Sequence, residues 1–80
     1  MTGVTEIEGW VEEGKKRGAT HVVIVCDKFN YEDFPVYVMP GEEVRAVINT
    51  HSTDSEKVME CYKMSLNIQT QLLERRAYNL

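Results

Sequence analysis

Residues 20–39, THVVIVCDKFNYEDFPVYVM, constrain this chain more than any other stretch. In an extended chain Val22, Ile24 and Cys26 face one way and Val23 and Val25 the other. A strand from 20 to 26 is therefore apolar on both faces, the pattern of a strand covered on both sides rather than half exposed. A second run, 35–39, is also mostly apolar. It opens with Pro35, which lacks an N–H and so belongs at a strand start or a sheet edge. The two runs are expected to pair as an antiparallel hairpin around an eight-residue loop, 27–34. A lone hairpin is barely stable in water. The expectation that follows is a homo-oligomer, dimer or higher, in which a second subunit continues the sheet or covers its far face.

The flanking segments read as helices. Val4, Ile7, Trp10, Val11 and Gly14 recur at spacings of three and four, predicting a helix over 3–17. Thr2 or Thr5 is placed to cap its start, and Thr5 with Glu8 has capping-box spacing. Acids crowd its first turns. Lys15, Lys16 and Arg17 fill its last turn, with Gly18 placed as the left-handed residue beyond it, so the charge order matches the helix dipole. After Pro40 and Gly41, residues 42–49 read as a short helix with Val44, Val47 and Ile48 on its apolar side. Thr53 and Glu56 again have capping-box spacing, and they open a predicted long helix over 54–78. Two adjacent stripes on that helix, Val58-Cys61-Ser65-Ile68-Leu72 and Met59-Tyr62-Leu66-Leu73, suggest a helix-to-helix dimer seam. Arg75 and Arg76 fit the dipole rule near its end. The expected fold is α+β, in the order α-β-β-α-α, with an antiparallel hairpin packed by an N-terminal, a short and a long C-terminal helix. It forms a single domain over residues 1–80.

Composition narrows the function classes. The chain has 80 residues, a net charge of −4 and seven aromatic rings. An acidic balance disfavours non-specific binding to duplex nucleic acid, which runs on basic surface. No apolar run reaches the roughly 20 residues that span a bilayer. The N-terminus is polar and acidic, unlike a signal peptide, and Cys26 and Cys61 sit in apolar patterns. Reduced thiols in a cytoplasmic protein are the expectation. There is no internal repeat and no linker.

Chemistry-bearing residues gather in the loop 27–34, which holds Asp27, Lys28, Phe29, Tyr31, Glu32, Asp33 and Phe34. Aromatic faces stack bases at about 1–3 kcal/mol each, and Asp27 and Asp33 could accept hydrogen bonds from base edges or hydroxyls. The plainer alternative is that Phe29 and Phe34 anchor the loop while Tyr31 and the acids face water. The acids lack EF-hand spacing, and His21, Cys26, His51 and Cys61 do not form paired metal-ligand motifs, so no metal and no cofactor are expected. His21 and Cys26 lie five apart on one strand, hence on opposite faces, a poor nucleophile–base pair. No Walker, G-x-S-x-G or H-E-x-x-H motif is present. The chain is not expected to be an enzyme; the remaining catalytic alternative is a small hydrolase using Asp27 or Asp33. Trp10 is placed on the apolar side of the first helix, Lys15 near its end, Thr20 at the strand start, and Arg45 in the short helix, where it meets Glu42, a loop acid or a phosphate.

The motifs W-V-E-E-G-K-x-R-G-A-T-H (10–21), V-C-D-x-F-x-Y-E-D-F-P-V-Y-V (25–38), P-G-E-x-V (40–44) and V-M-E-C-Y-x-x-S-x-x-I-x-x-Q-L (58–72) resemble a group of small, mostly uncharacterised proteins of tailed phages and prophages. The resemblance implies an accessory phage protein acting in a bacterial cytoplasm. Phages use small oligomeric proteins as sponges for cyclic-nucleotide immune signals, and this chain is similar to them in size and in its aromatic loop. The leading expectation is such a sponge, holding a small nucleotide without turnover in an inter-subunit pocket. Trp10, Phe29 or Tyr31 would stack bases, Thr20, Asp27 and Asp33 would bond edges or sugars, and Lys15 or Arg45 would meet phosphate. The alternative is a protein-interaction or regulatory module docking a host or phage protein.

Overall fold

A computed structural model describes residues 3–74 and 77–80, apart from the side chain of Val4. The elements run α1 (Val4–Arg17), β1 (His21–Asp27), β2 (Glu32–Val38), α2 (Val44–Thr50), β3 (Glu56–Lys63) and α3 (Ile68–Leu73). The domain is α+β, with one three-stranded antiparallel sheet in the order β2-β1-β3. Expectations for Thr2, the Val4 side chain, Arg75 and Arg76 lie outside the described residues.

The long C-terminal helix is not formed. Residues 56–63 are a strand instead, paired to the free edge of β1. β1 therefore has a partner on each edge, and Val22, Val23, Ile24 and Val25 are fully or almost fully buried. Beyond β3 the chain turns through 64–67. Asn67 caps the short α3, its Oδ1 accepting the Thr70 N–H at 3.0 Å. The Thr53–Glu56 spacing does signal a local hydrogen bond, since Thr53 Oγ1 accepts the N–H groups of Ser55 and Glu56, each at 3.2 Å. What it nucleates is the turn into a strand.

Each face of the sheet has its own cover. Val22 and Ile24 pack with Ile7 and Val11 of α1, with Tyr62 and with Ala77; Trp10, Tyr37, Met64, Ile68 and Leu72 close around them. On the other face Val23, Val25, Val38 and Cys61 pack with Ile48 of α2, flanked by Phe34, Val36, Val44, Val47 and Val58. The two-faced strand is thus a central strand whose cover and second partner come from its own chain. The two-stranded sheet that motivated the shared-sheet oligomer is replaced, and with it the seam on the long helix.

Helix α1 matches its expected bounds closely. Its last turn carries Lys15, Lys16 and Arg17, and Gly18 follows in the left-handed region at φ 74°. Its start is capped differently: Gly3 is the N-cap, with no side-chain cap hydrogen bond among the described residues. Gly14 lets the helix lie close on β1, because a Cβ there would stand 2.6 Å from Val22 Cγ2. Arg17 bonds Glu13 at 2.9 Å and lies 4.5 Å over the Tyr37 ring, fastening the helix end to β2. Pro35 sits inside β2, and β2 is an edge strand, which is where a residue without an N–H is tolerated.

The outer edge of β3 is closed by side chain and tail. Gln71, 1% exposed, accepts the Lys63 N–H at 2.7 Å and donates to the Lys63 carbonyl at 2.8 Å. Its amide takes the place of a peptide group in a neighbouring strand. Asn79 Nδ2 donates to the same Gln71 oxygen at 2.9 Å. The tail then bonds Cys61 on both sides, with Cys61 N–H to Ala77 carbonyl at 2.9 Å and Asn79 N–H to Cys61 carbonyl at 3.0 Å. The Tyr62 hydroxyl donates to Glu60 on the α1 face.

Candidate functional site

The hairpin joining β1 and β2 is tighter than the expected eight-residue loop. Strand pairing continues to Asp27 opposite Glu32, so the connection is only residues 28–31. That length is ordinary for a hairpin, and length alone no longer argues for function. Asp33 and Phe34 belong to β2. Phe34 is half-buried on the α2 side, 6.3 Å centroid to centroid and edge-on to the His51 ring.

The turn is braced. Asp27 Oδ1 accepts the Phe29 N–H at 2.8 Å and the Asn30 N–H at 3.4 Å, and the Tyr31 N–H closes onto the Asp27 carbonyl at 2.7 Å. An aspartate that bonds the backbone two and three residues on is making a turn. Lys28 ties the turn to the chain entering β3. Its N–H donates to the Ser55 carbonyl at 2.9 Å and its ammonium to the Thr53 carbonyl at 3.2 Å. Two rings project from this frame, Phe29 at 79% and Tyr31 at 78% exposure. Tyr31 also sits in the left-handed region, φ 54°, where glycine or asparagine is the usual occupant.

The expected site residues fall at two ends of the sheet. Asp27, Phe29, Tyr31 and Asp33 are at the hairpin end. Thr20 precedes β1 at the opposite end, seven residues and about 23 Å of extended chain away. Lys15, in the last turn of α1, and Arg45, in the helix that follows the far end of β2, accompany Thr20 rather than the loop. Both cations are exposed, and neither makes an ion pair among the described residues. The expected Arg45–Glu42 pair is not made; Glu42 Oε1 accepts the Met39 N–H at 2.8 Å. Trp10 packs against the α1-side core. Thr20 donates its hydroxyl to the Val38 carbonyl at 3.2 Å. Asp33 lies opposite Cys26, and burial first, then its hydrogen bond, raises the Cys26 thiol above its ordinary range. Of the eight residues, only Phe29 and Tyr31 present unspent contact surface at one place.

His21 has an environment that its sequence position did not announce. His21 Nδ1 lies 3.0 Å from Thr20 Oγ1, and its Nε2 is buried with no hydrogen-bond partner among the described residues. Burial, and then the charge of Lys63 opposite it, lower the imidazole pKa, while the Leu80 backbone opposes them. Cys26 and Cys61 are both free thiols. Burial pushes the Cys61 thiol up to about 11.

A groove of about 570 Å³ lies beside the hairpin turn. It is lined by Lys28, Ser52 and Thr53, by Glu56, Lys57 and Val58 of β3, and by Tyr78 of the tail. It was not foreseen, because it depends on the third strand. Among the described residues no cluster of three or more His, Cys, Asp or Glu side chains could hold a metal ion, and no helix is long and apolar enough to cross a membrane.

Fold and surface together define a small three-layer α+β domain with a braced aromatic turn and an open groove at one end of its sheet. No family model, no curated protein and no solved structure matches the chain.

Proposed function

We propose that this chain is a non-catalytic interaction module whose contact element is the hairpin tip, docking a host or phage protein. The observation that carries this reading is Tyr31. Its backbone sits at φ 54° and its ring is 78% exposed, so it incurs a conformational cost with almost no burial in return. Glycine would fill this turn position more cheaply. Strain of this kind clusters at binding surfaces, where a partner supplies the missing burial. Phe29 stands beside it on the same braced frame, and rigid exposed aromatics are the residue type that anchors protein interfaces.

The test is affinity capture from phage-infected and uninfected bacterial lysate with the native chain, with Tyr31→Gly and with Phe29→Ala. A stoichiometric partner retained by the native chain and lost with both variants supports the reading. Capture that is indifferent to both rings overturns it.

A second reading, the sequestering of a nucleotide immune signal, draws support from a different observation, the groove beside the tip. In this form it needs no second subunit to build the pocket, and Trp10, Thr20, Lys15 and Arg45 have no part in it. Isothermal titration against cyclic di- and trinucleotides tests it, and silence across the panel would remove it.

A further inference from the structure

We infer that the groove between the 52–53 turn and the C-terminal tail is a binding site for a small anion carrying a flat ring. Lys28 is exposed, and its ammonium donates to the Thr53 carbonyl at 3.2 Å. That acceptor is neutral, and Lys28 has no carboxylate partner among the described residues. Its charge therefore remains to be matched, and it lines the groove. Glu56, the one acid of the groove, has its carboxylate Oε1 held by His51 Nδ1 at 3.2 Å. The Ser52 hydroxyl donates to the Ile48 carbonyl at 2.7 Å and keeps its lone pairs for a ligand donor.

The lining also carries a ring, Tyr78. Tyr78 is anchored through its neighbours, Ala77 and Asn79, to Cys61, yet remains 49% exposed. Val58 adds an apolar surface to the lining. An ammonium, a ring and an aliphatic surface lining one groove suit a ligand that carries both a charged group and a planar ring. The volume, about 570 Å³, lies in the range of small-ligand sites. A nucleoside monophosphate and an aromatic carboxylate share that chemistry.

This site is independent of the hairpin tip, since Phe29 and Tyr31 do not line it. The experiment is a nitrogen–proton correlation titration of the native chain with 5′-AMP, 4-hydroxybenzoate, adenosine and inorganic phosphate. AMP or hydroxybenzoate should shift the amides of Ser52, Thr53, Val58 and Tyr78 saturably. Adenosine and phosphate alone should bind at least tenfold more weakly. Lys28→Gln, with its remaining spectrum unchanged, should lose at least tenfold in affinity for the anion. AMP without hydroxybenzoate would assign the site to nucleotides, and the reverse to aromatic acids. No saturable shift with either ring-bearing anion would overturn the inference, as would undiminished binding to Lys28→Gln or phosphate binding as tightly as AMP. Retention of the site by Tyr31→Gly separates its fate from that of the tip.

Discussion

Replacing Gln71 by leucine should be among the most damaging single changes in this chain, although both residues are of similar size. The Gln71 amide accepts the Lys63 N–H at 2.7 Å, donates to the Lys63 carbonyl at 2.8 Å and receives Asn79 Nδ2 at 2.9 Å. Leucine keeps the volume and removes these three bonds and a longer fourth, from Gln71 Nε2 to the Asn67 carbonyl at 3.4 Å. The Lys63 N–H and C=O are then left facing a side chain that can neither donate nor accept. Each orphaned group costs roughly 1–3 kcal/mol, so a loss of about 3 kcal/mol is expected after partial relaxation. An 80-residue domain at roughly 0.05–0.15 kcal/mol per residue has only about 4–12 kcal/mol in all. With a urea slope of roughly 1 kcal/mol/M for so small a chain, the midpoint should fall by about 3 M. The damage should also be local. Hydrogen exchange at the Lys63 and Asn79 amides should accelerate more than at Val23 or Ile24 in the centre of the sheet. A Gln71→Leu variant within about 0.5 kcal/mol of the native chain, with Lys63 still protected, would refute the idea that one side-chain amide closes the edge of β3.

Four further outcomes follow from particular contacts. Gly14→Ala should lower the melting temperature: the new Cβ meets Val22 Cγ2 at 2.6 Å, and overpacking of roughly 1–3 kcal/mol outweighs a helix-propensity gain of about 1 kcal/mol; a rise in melting temperature would contradict it. His21 has a folded pKa below its ordinary value, so the folded chain binds fewer protons, and its contribution should be intact above about pH 6.5 and fade as pH falls through the unfolded value toward the folded one; urea midpoints between pH 7.5 and 5 should show a step that His21→Gln removes. Tyr31→Gly should leave stability within about 1 kcal/mol of native, whereas Tyr31→Val, a β-branched residue forced to φ 54°, should cost roughly 1–2 kcal/mol more; equal stabilities by urea titration would show that the left-handed turn is not maintained. Cys61, fully buried with its thiol near 11, should resist iodoacetamide at pH 8 while half-buried Cys26 is labelled, and mass spectrometry of the labelled chain would expose the reverse order.

Much of the fold was legible from the residues, and the main error has an identifiable cause. The two-faced burial of β1 was plain in Val22 to Val25, and Gly18 and the basic triplet marked the end of α1. The helical spacing in β3 comes from one bulge. Between Ile24 and Val25 the register with β3 shifts, so that Ile24 pairs Glu60 while Val25 pairs Val58, and Met59 is the extra residue. Val58 and Cys61 therefore share a face of a strand although they lie three apart. Three is a helical spacing, and in a segment rich in Glu, Lys and Met it imitates an amphipathic helix. The corrective signal was in β1. A strand apolar on both faces is a central strand, and a central strand needs two neighbours. The hairpin supplies one and β3 of the same chain the other.

The site was harder to read because the same residue types serve the turn and its surroundings. Asp27 was legible as a polar residue next to exposed rings, but its bonds to the Phe29 and Asn30 N–H groups are local and structural. Lys15, Thr20 and Arg45 were grouped with the loop because nothing in a linear pattern separates the two ends of a sheet. The groove was invisible for a deeper reason: its walls come from residue 28, residues 52–58 and residue 78, joined only once β3 docks and the tail bonds Cys61.

A self-completed sheet changes what the exposed apolar residues mean. β1 has both edges paired and both faces covered, β2 carries Pro35 within an edge strand, and the edge of β3 is met by Gln71 and the tail. The sheet therefore does not require a second subunit to bury it. What remains uncovered is concentrated elsewhere, at Phe29 and Tyr31 on the braced turn and at Leu66, Leu73 and Tyr78 around α3 and the tail. These side chains lie outside the two buried clusters, so the core does not depend on them. Folding and recognition are thereby placed on different residues: substitutions at Gln71 or Gly14 should act through stability, and substitutions at Phe29 or Lys28 should act through binding with the fold intact.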